Sequence, residues 1–162
     1  QTKKIGDNRM RILFDTSIIV EIDRQNKEIV NFLKFLSEKG EELVISTVTV
    51  SEILTGSYLR KDSKEAAIKA KEILNQFIWK EIDGKTAEIS AKLFSYLIVE
   101  KMIESIEYPD VLIAASSLST NSDYLITLNK KDFGLFPSLK DKIYTPTEFK
   151  EQKLKVTKEN NN

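Results

Sequence analysis

Four acids stand out by position. Asp15 directly follows the apolar run Ile12-Leu13-Phe14, and Glu52 comes shortly after the run Leu43-Val44-Ile45. Asp110 follows Pro109 at the head of an apolar stretch, and Asp132 lies just past Tyr124-Leu125-Ile126-Thr127. The chain has no His and no Cys, which removes the usual general base, the usual zinc ligands, a thiolate nucleophile and a disulfide framework. Acid–base or metal chemistry must therefore rest on carboxylates, Lys, Tyr or water. Carboxylates brought together repel one another unless cations neutralise them, and oxygen-only ligands select a hard ion, Mg²⁺ or Mn²⁺. Such a site suits phosphodiester chemistry, because a divalent ion lowers the pKa of an attacking water and steadies the leaving oxygen.

Positioning these acids requires particular elements, and the sequence supplies them in order. Ile12 to Phe14 reads as a buried strand ending at Asp15. A short helix with Ile18, Ile19 and Ile22 follows. A second helix, capped by Asn26, carries Ile29, Phe32, Leu33 and Leu36 and stops at Gly40. Leu43 to Ile45 is a second strand, after which Ser46 or Thr47 caps a helix through Glu52 to about Tyr58. Asp62 or Ser63 starts a helix bearing Ala67, Ile68, Ala70, Ile73 and Leu74. Phe77-Ile78-Trp79 with Ile82 reads as a short strand. Asp83 caps a long helix containing Ile89, Leu93, Leu97, Ile98 and Met102, and Pro109 opens a helix from Val111 to Leu118. Tyr124 to Thr127 is a strand and Ile143-Tyr144 a last one, with Pro146 beginning a tail. Strands that are continuous apolar runs, alternating with helices, predict a parallel sheet covered on both faces: an α/β protein, a three-layer α/β/α sandwich. In such a sheet, strand ends and the helix starts that follow them share one edge, where ligands bind.

Each acid also has a structural explanation. Asp110 suits the positive end or cap of its helix, Glu52 a solvated helix face, and Asp132 an ordinary turn. Asp15 is the hardest to explain that way, since an Asp closing a short apolar strand faces the functional edge.

The 162 residues, 41% of them apolar, fit one domain with a real core. Residues 10–149 are expected to form it, with 1–9 a leader or cloning remnant and 150–162 a flexible tail. Lys and Arg number 25, as do Asp and Glu, so bulk charge does not argue for a nucleic-acid partner and any basic surface must be local. No apolar run is long enough to span a bilayer, and the polar N-terminal segment lacks a signal-peptide core, so no membrane partner and a cytoplasmic location are expected.

Taken in order, four stretches resemble the PIN-domain nucleases and, in size and layout, the VapC-type toxins of toxin–antitoxin pairs. They are Ile12-Leu13-Phe14-Asp15-Thr16-Ser17, Thr49-Val50-Ser51-Glu52-Ile53-Leu54-Thr55-Gly56, Pro109-Asp110-Val111-Leu112-Ile113-Ala114-Ala115, and Leu125-Ile126-Thr127-Leu128-Asn129-Lys130-Lys131-Asp132-Phe133. The resemblance implies an endoribonuclease using Mg²⁺ or Mn²⁺. Asp15, Glu52 and Asp110 would be the principal metal-binding acids and Asp132 a fourth. Thr16 or Ser17 would hydrogen-bond the carboxylates or a scissile phosphate, and Asn129 would orient the acids. Turn and cap chemistry is the structural alternative for these three.

The chain departs from the common toxin pattern in two places. Residues 103–108 lack a Gly often found there, and Leu128 replaces a basic residue, a charge that Lys130 and Lys131 could supply instead. With Arg24, Arg60 and Lys61, those lysines are the candidates for phosphate contact, set against the plainer view of each as solvated surface charge. Apolar helix faces at Ile29–Leu36, Ile53–Leu59 and Ile68–Leu74, together with the resemblance, imply a homodimer; an antitoxin partner rests on resemblance alone. Three alternatives stay open: a PIN nuclease acting in RNA processing or on single-stranded DNA, a non-catalytic PIN-fold binding module, and a phosphotransfer protein using Asp15 as nucleophile. The last is disfavoured, because dehalogenase-type phosphatases need an Asp where Ser17 stands and a receiver domain needs paired acids at its first strand.

Overall fold

Strand residues that alternate between two apolar surroundings build the centre of the molecule. In the computed structural model, which describes residues 9–154, Ile12 and Phe14 face one core cluster while Leu13 faces the other, and Leu43 and Ile45 are split from Val44 in the same way. Both faces of the sheet are therefore covered, and the strands read as unbroken apolar runs for that reason. Five strands, β1 (Arg11–Phe14), β2 (Glu42–Ser46), β3 (Ile78–Lys80), β4 (Tyr124–Ile126) and β5 (Ile143–Tyr144), pair in the order β3-β2-β1-β4-β5, and every pairing is parallel. The order reverses between β1 and β4, where Phe14 stands beside Ile126.

One face is covered chiefly by α1 (Thr16–Asp23), α2 (Lys27–Glu38), α3 (Thr47–Tyr58), α4 (Ser63–Leu74) and α8 (Pro146–Phe149). The other is covered chiefly by α5 (Gly84–Val99), α6 (Tyr108–Ser119) and α7 (Lys130–Phe133). The expected caps are in place. Asn26 accepts from Glu28 and Ile29, Ser46 from Val48 and Asp83 from Thr86, each satisfying an N–H that the first helical turn leaves without a partner. Gly40 adopts φ 76° after α2, a conformation that costs Gly little, and the turn is closed by Gly40 N–H to Ser37 O and Glu41 N–H to Leu36 O.

The structure revises several boundaries. Ile82 lies outside β3 and Met102 outside α5, which ends at Val99 with Lys101 left-handed beyond it. Pro146 opens a helix rather than a tail. Thr145 and Glu148 form a reciprocal capping box, and Phe149 is fully buried against Phe32, Tyr124 and Tyr144. A turn over Lys150–Leu154 continues from it, and Leu154 packs on the core. All of the expected leader but Arg9, and the end of the expected tail, residues 1–8 and 155–162, lie outside the described residues. The apolar face of α2 is consumed by the core: Ile29, Phe32, Leu33 and Leu36 are all buried. Of the three apolar helix faces from which a homodimer is expected, the strongly exposed large side chains are Tyr58, Leu59 and Ile68. No helix among the described residues is long and apolar enough to cross a membrane.

Candidate active site

At the carboxyl edge of the sheet, beside the β1/β4 reversal, lies an open cleft of about 420 Å³. Asp15, Glu52, Asp110 and Asp132 all line it, with Thr16, Ser17 and Asn129. Glu104, Ser105, Ile106 and Glu107 complete the lining, and none of the lining residues is basic.

Each acid is placed by ordinary local structure. Asp15 is the N-cap of α1: its Oδ1 accepts from Thr16 N (2.7 Å) and its Oδ2, at 3.3 Å, from Ser17 N. It is only 3% exposed, so its charge needs partners, and Ser17 Oγ (2.6 Å) and Thr127 Oγ1 (2.9 Å) both donate to Oδ2. Glu52 projects from α3, and Thr16 Oγ1 donates to its Oε2 at 2.5 Å while lying 3.0 Å from Thr49 Oγ1. Asp110 occupies the first turn of α6 behind Pro109, and Asp132 sits in the short helix α7.

The electrostatics single out Asp110. Burial, and then the charges of Asp15, Glu52, Asp132 and Glu107, push its carboxyl from 3.8 up to about 7. The positive end of α6 would favour its charge, so that dipole is outweighed by desolvation and like-charge repulsion. An acid that resists ionisation amid four others is what an all-oxygen cation site looks like before its charge is balanced. Among the described residues, no three acids already converge on one point in ion-holding geometry. That is expected of like charges that splay apart, and a carboxylate rotation costs little beside the repulsion a cation relieves. The shared cleft and its donor chemistry fit a hard divalent ion.

The sequence reading overlooked three of the groups assembled here. Thr127 is fully buried and reaches Asp15 across the sheet. Glu104 and Glu107 lie in a turn and an extended stretch; the repeated spacing of three, from Glu104 to Glu107 and from Glu107 to Asp110, was the signal available. The proposed phosphate-contacting cations do not line the cleft. Arg24 pairs with Glu21, Arg60 with Asp62 and Lys130 with Glu148, while Lys61 and Lys131 are exposed.

Comparison with known proteins agrees with the fold. The family model of the PIN domain matches residues 12–136. This chain belongs to the PIN-domain family. Members are generally nucleases that use divalent metals. Similar solved structures include VapBC2 from Rickettsia felis bound to a DNA fragment from its promoter (TM-score 0.76, 23% identity, 84% of this chain and 98% of that one). VapBC-1 from nontypeable Haemophilus influenzae gives a TM-score of 0.72 at 21% identity, covering 85% of this chain and 99% of that one. FitAcB from Neisseria gonorrhoeae gives 0.68 at 25% identity, covering 84% and 98%. No curated protein matches the sequence significantly. The PIN fold of the chain is thus established from two directions, by the family match and by these neighbours.

Proposed function

We propose that this PIN-domain protein is a Mg²⁺- or Mn²⁺-dependent endoribonuclease, the toxin of a VapBC-type pair. The observation that carries the reading is the convergence of Asp15, Glu52, Asp110 and Asp132 on one cleft whose lining has no cation. Bound there, a divalent ion would supply Lewis acidity toward water and phosphate. Asp15, Glu52 and Asp110 would hold it, with Asp132 as a fourth acid. Asp110 must give up its proton for ligation, so occupancy is coupled to pH near 7. Thr16 holds Glu52 and Ser17 holds Asp15, so two consecutive residues in the first turn of α1 fix two carboxylates. Asn129 borders the acids on the β4 side.

RNA must meet this acidic cleft with cationic help from outside it. Lys130 and Lys131 sit in the sequence between Asn129 and Asp132, and engaging phosphate would draw Lys130 away from Glu148. Arg24, Arg60 and Lys61 are the remaining candidates. Affinity for RNA should fall steeply with salt if such contacts form. A homodimer and an antitoxin partner are part of the same proposal, supported by neighbours whose names are those of toxin–antitoxin complexes. The test is incubation of wild type and Asp15→Asn with mixed RNA, with and without Mn²⁺, followed by end mapping. Cleavage only by wild type with metal is expected; metal-independent cleavage, or full activity in Asp15→Asn, refutes the proposal.

A further inference from the structure

The loop after β4 reaches back to the acid of β1 through two parallel relays. Leu128 N–H donates to Ser17 Oγ (3.1 Å), which donates to Asp15 Oδ2 (2.6 Å). Asn129 N–H donates to Thr127 Oγ1 (2.8 Å), which donates to the same Oδ2 (2.9 Å). A hydroxyl has one proton, so accepting from a fixed amide leaves it only the carboxylate to donate to, and each relay has a defined direction. Oδ2, with a further weak contact from Ser17 N, is fully engaged. Oδ1 accepts from Thr16 N alone among the described residues and keeps lone-pair capacity.

The geometry points to Thr127 and Ser17 as a clamp: two positioning residues, locked by the consecutive amides of Leu128 and Asn129, that hold Asp15 Oδ2 so that Oδ1 is the oxygen offered to a cation. Thr127 is the half of this clamp that no sequence motif around Asp15 contains. It is 0% exposed and can play no part in substrate contact, so any effect it has on the cleft passes through Asp15 or through the loop at Asn129. The clamp also ties the cleft to the sheet. Thr127 directly follows Ile126, the register partner of Phe14, and Thr127 N–H is held by Tyr144 O of β5. A slip between β1 and β4 would carry the hydroxyl away from the carboxylate. The offer of Oδ1 to a cation rests on the metal site proposed above, whereas the clamp itself does not, and the experiment separates them.

The test uses the full chain with Mn²⁺ alone as the probe, in calorimetry, together with amide hydrogen exchange of the metal-free protein. Thr127→Val keeps the shape and removes the hydroxyl; Thr127→Ser keeps the hydroxyl. Thr127→Val should weaken Mn²⁺ binding by about 10- to 100-fold, the effect typical of groups that orient metal ligands, and speed exchange at Asn129. Thr127→Ser should restore both. Ser17→Ala should act likewise through Leu128, and serves if Thr127→Val fails to fold. In Asp15→Asn, the side-chain carbonyl should take the place of Oδ2, which has the more donors, and the NH₂ group that of Oδ1 with loss of the Thr16 N–H bond, abolishing Mn²⁺ binding while the Leu128 and Asn129 amides stay slow. Unchanged exchange in Thr127→Val and Ser17→Ala, or a Thr127→Ser as impaired as Thr127→Val, overturns the clamp. Altered exchange with no Mn²⁺ binding even in wild type upholds the clamp and overturns the metal site.

Discussion

The two edges of the sheet carry hollows of similar size and opposite electrostatic character. At the carboxyl edge the cleft of about 420 Å³ is lined by six acids and no base. At the amino-terminal edge, where β1 and β2 begin and α6 ends, a hollow of about 360 Å³ is lined by Arg11, Lys80, Lys85 and Glu42, with Trp79 and the end of α6. There every cation has a partner. Arg11 meets Glu42 at 2.6 Å and the carbonyl of Thr120 at 2.8 Å, Lys85 takes the carbonyl of Ser119, and Lys80 binds Asp83. Two of these cations satisfy carbonyls that the end of α6 leaves without partners, a favourable place for positive charge. The acids report the same contrast. The hydrogen bond from Lys80, then those from Thr86, hold the Asp83 carboxyl far below its ordinary value, while Asp110 across the sheet is driven up to about 7. Where charges are matched the hollow serves the fold; where they are left unmatched the protein stores a demand that only something from outside can meet.

This contrast can be broken most severely at the acids. Asp15→Asn and Asp110→Asn should each reduce metal-dependent RNA cleavage by at least ~100-fold, more than groups that merely orient ligands contribute. Circular dichroism should stay unchanged, and activity near wild type in either variant would remove the distinction between the two edges.

A smaller effect is expected with pH. Because Asp110 holds its proton below about 7, divalent-ion affinity should fall by roughly tenfold per pH unit below that point, with release of a proton on binding. Calorimetry in buffers of different ionisation heat reads that proton directly; an affinity flat from pH 5 to 8 contradicts it.

The same group shapes stability. Its folded pKa lies above the ordinary 3.8, so between about 4 and 7 the native state binds more protons than the unfolded chain. Metal-free protein should therefore lose stability as pH rises through that window, the full penalty being present above 7. Asp110→Asn should raise the melting temperature at pH 8 by a few degrees (~2–4 °C) and give no such gain at pH 4. Equal shifts at both pH values would show that ionisation of Asp110 is not the cause.

The smallest effect on cleavage belongs to the matched edge. Arg11→Met should leave cleavage per folded molecule intact while destabilising the fold by roughly 1–3 kcal/mol, because Glu42 and the Thr120 carbonyl lose their partner. Lost activity at full stability would make the amino-terminal hollow a functional site.

Legibility in the sequence followed the range of the interactions. The strands at Ile12–Phe14 and Leu43–Ile45, the caps Asn26 and Asp83, and the stop at Gly40 rest on contacts within a few residues, and pattern alone placed them. The four acids were found because each follows a strand or opens a helix. The contribution of Thr127 was hidden because its partner is 112 residues away and meets it only when β4 lies beside β1. Phe149 looked like part of a tail for the same reason: a single aromatic three residues after Pro146 declares nothing until Phe32, Tyr124 and Tyr144 surround it.

By itself, then, the sequence determined the alternation of strands and helices, the all-oxygen chemistry available to a chain without His or Cys, and the strand and helix ends at which the acids stand. Tertiary structure alone decided that Ile29, Phe32, Leu33 and Leu36 of α2 are consumed by the core, that Glu104 and Glu107 join the acids, and which oxygen of Asp15 is already committed. The physical reason is that periodicity and capping are local properties of the backbone, whereas charge balance, burial and hydrogen-bond direction depend on what the fold brings alongside.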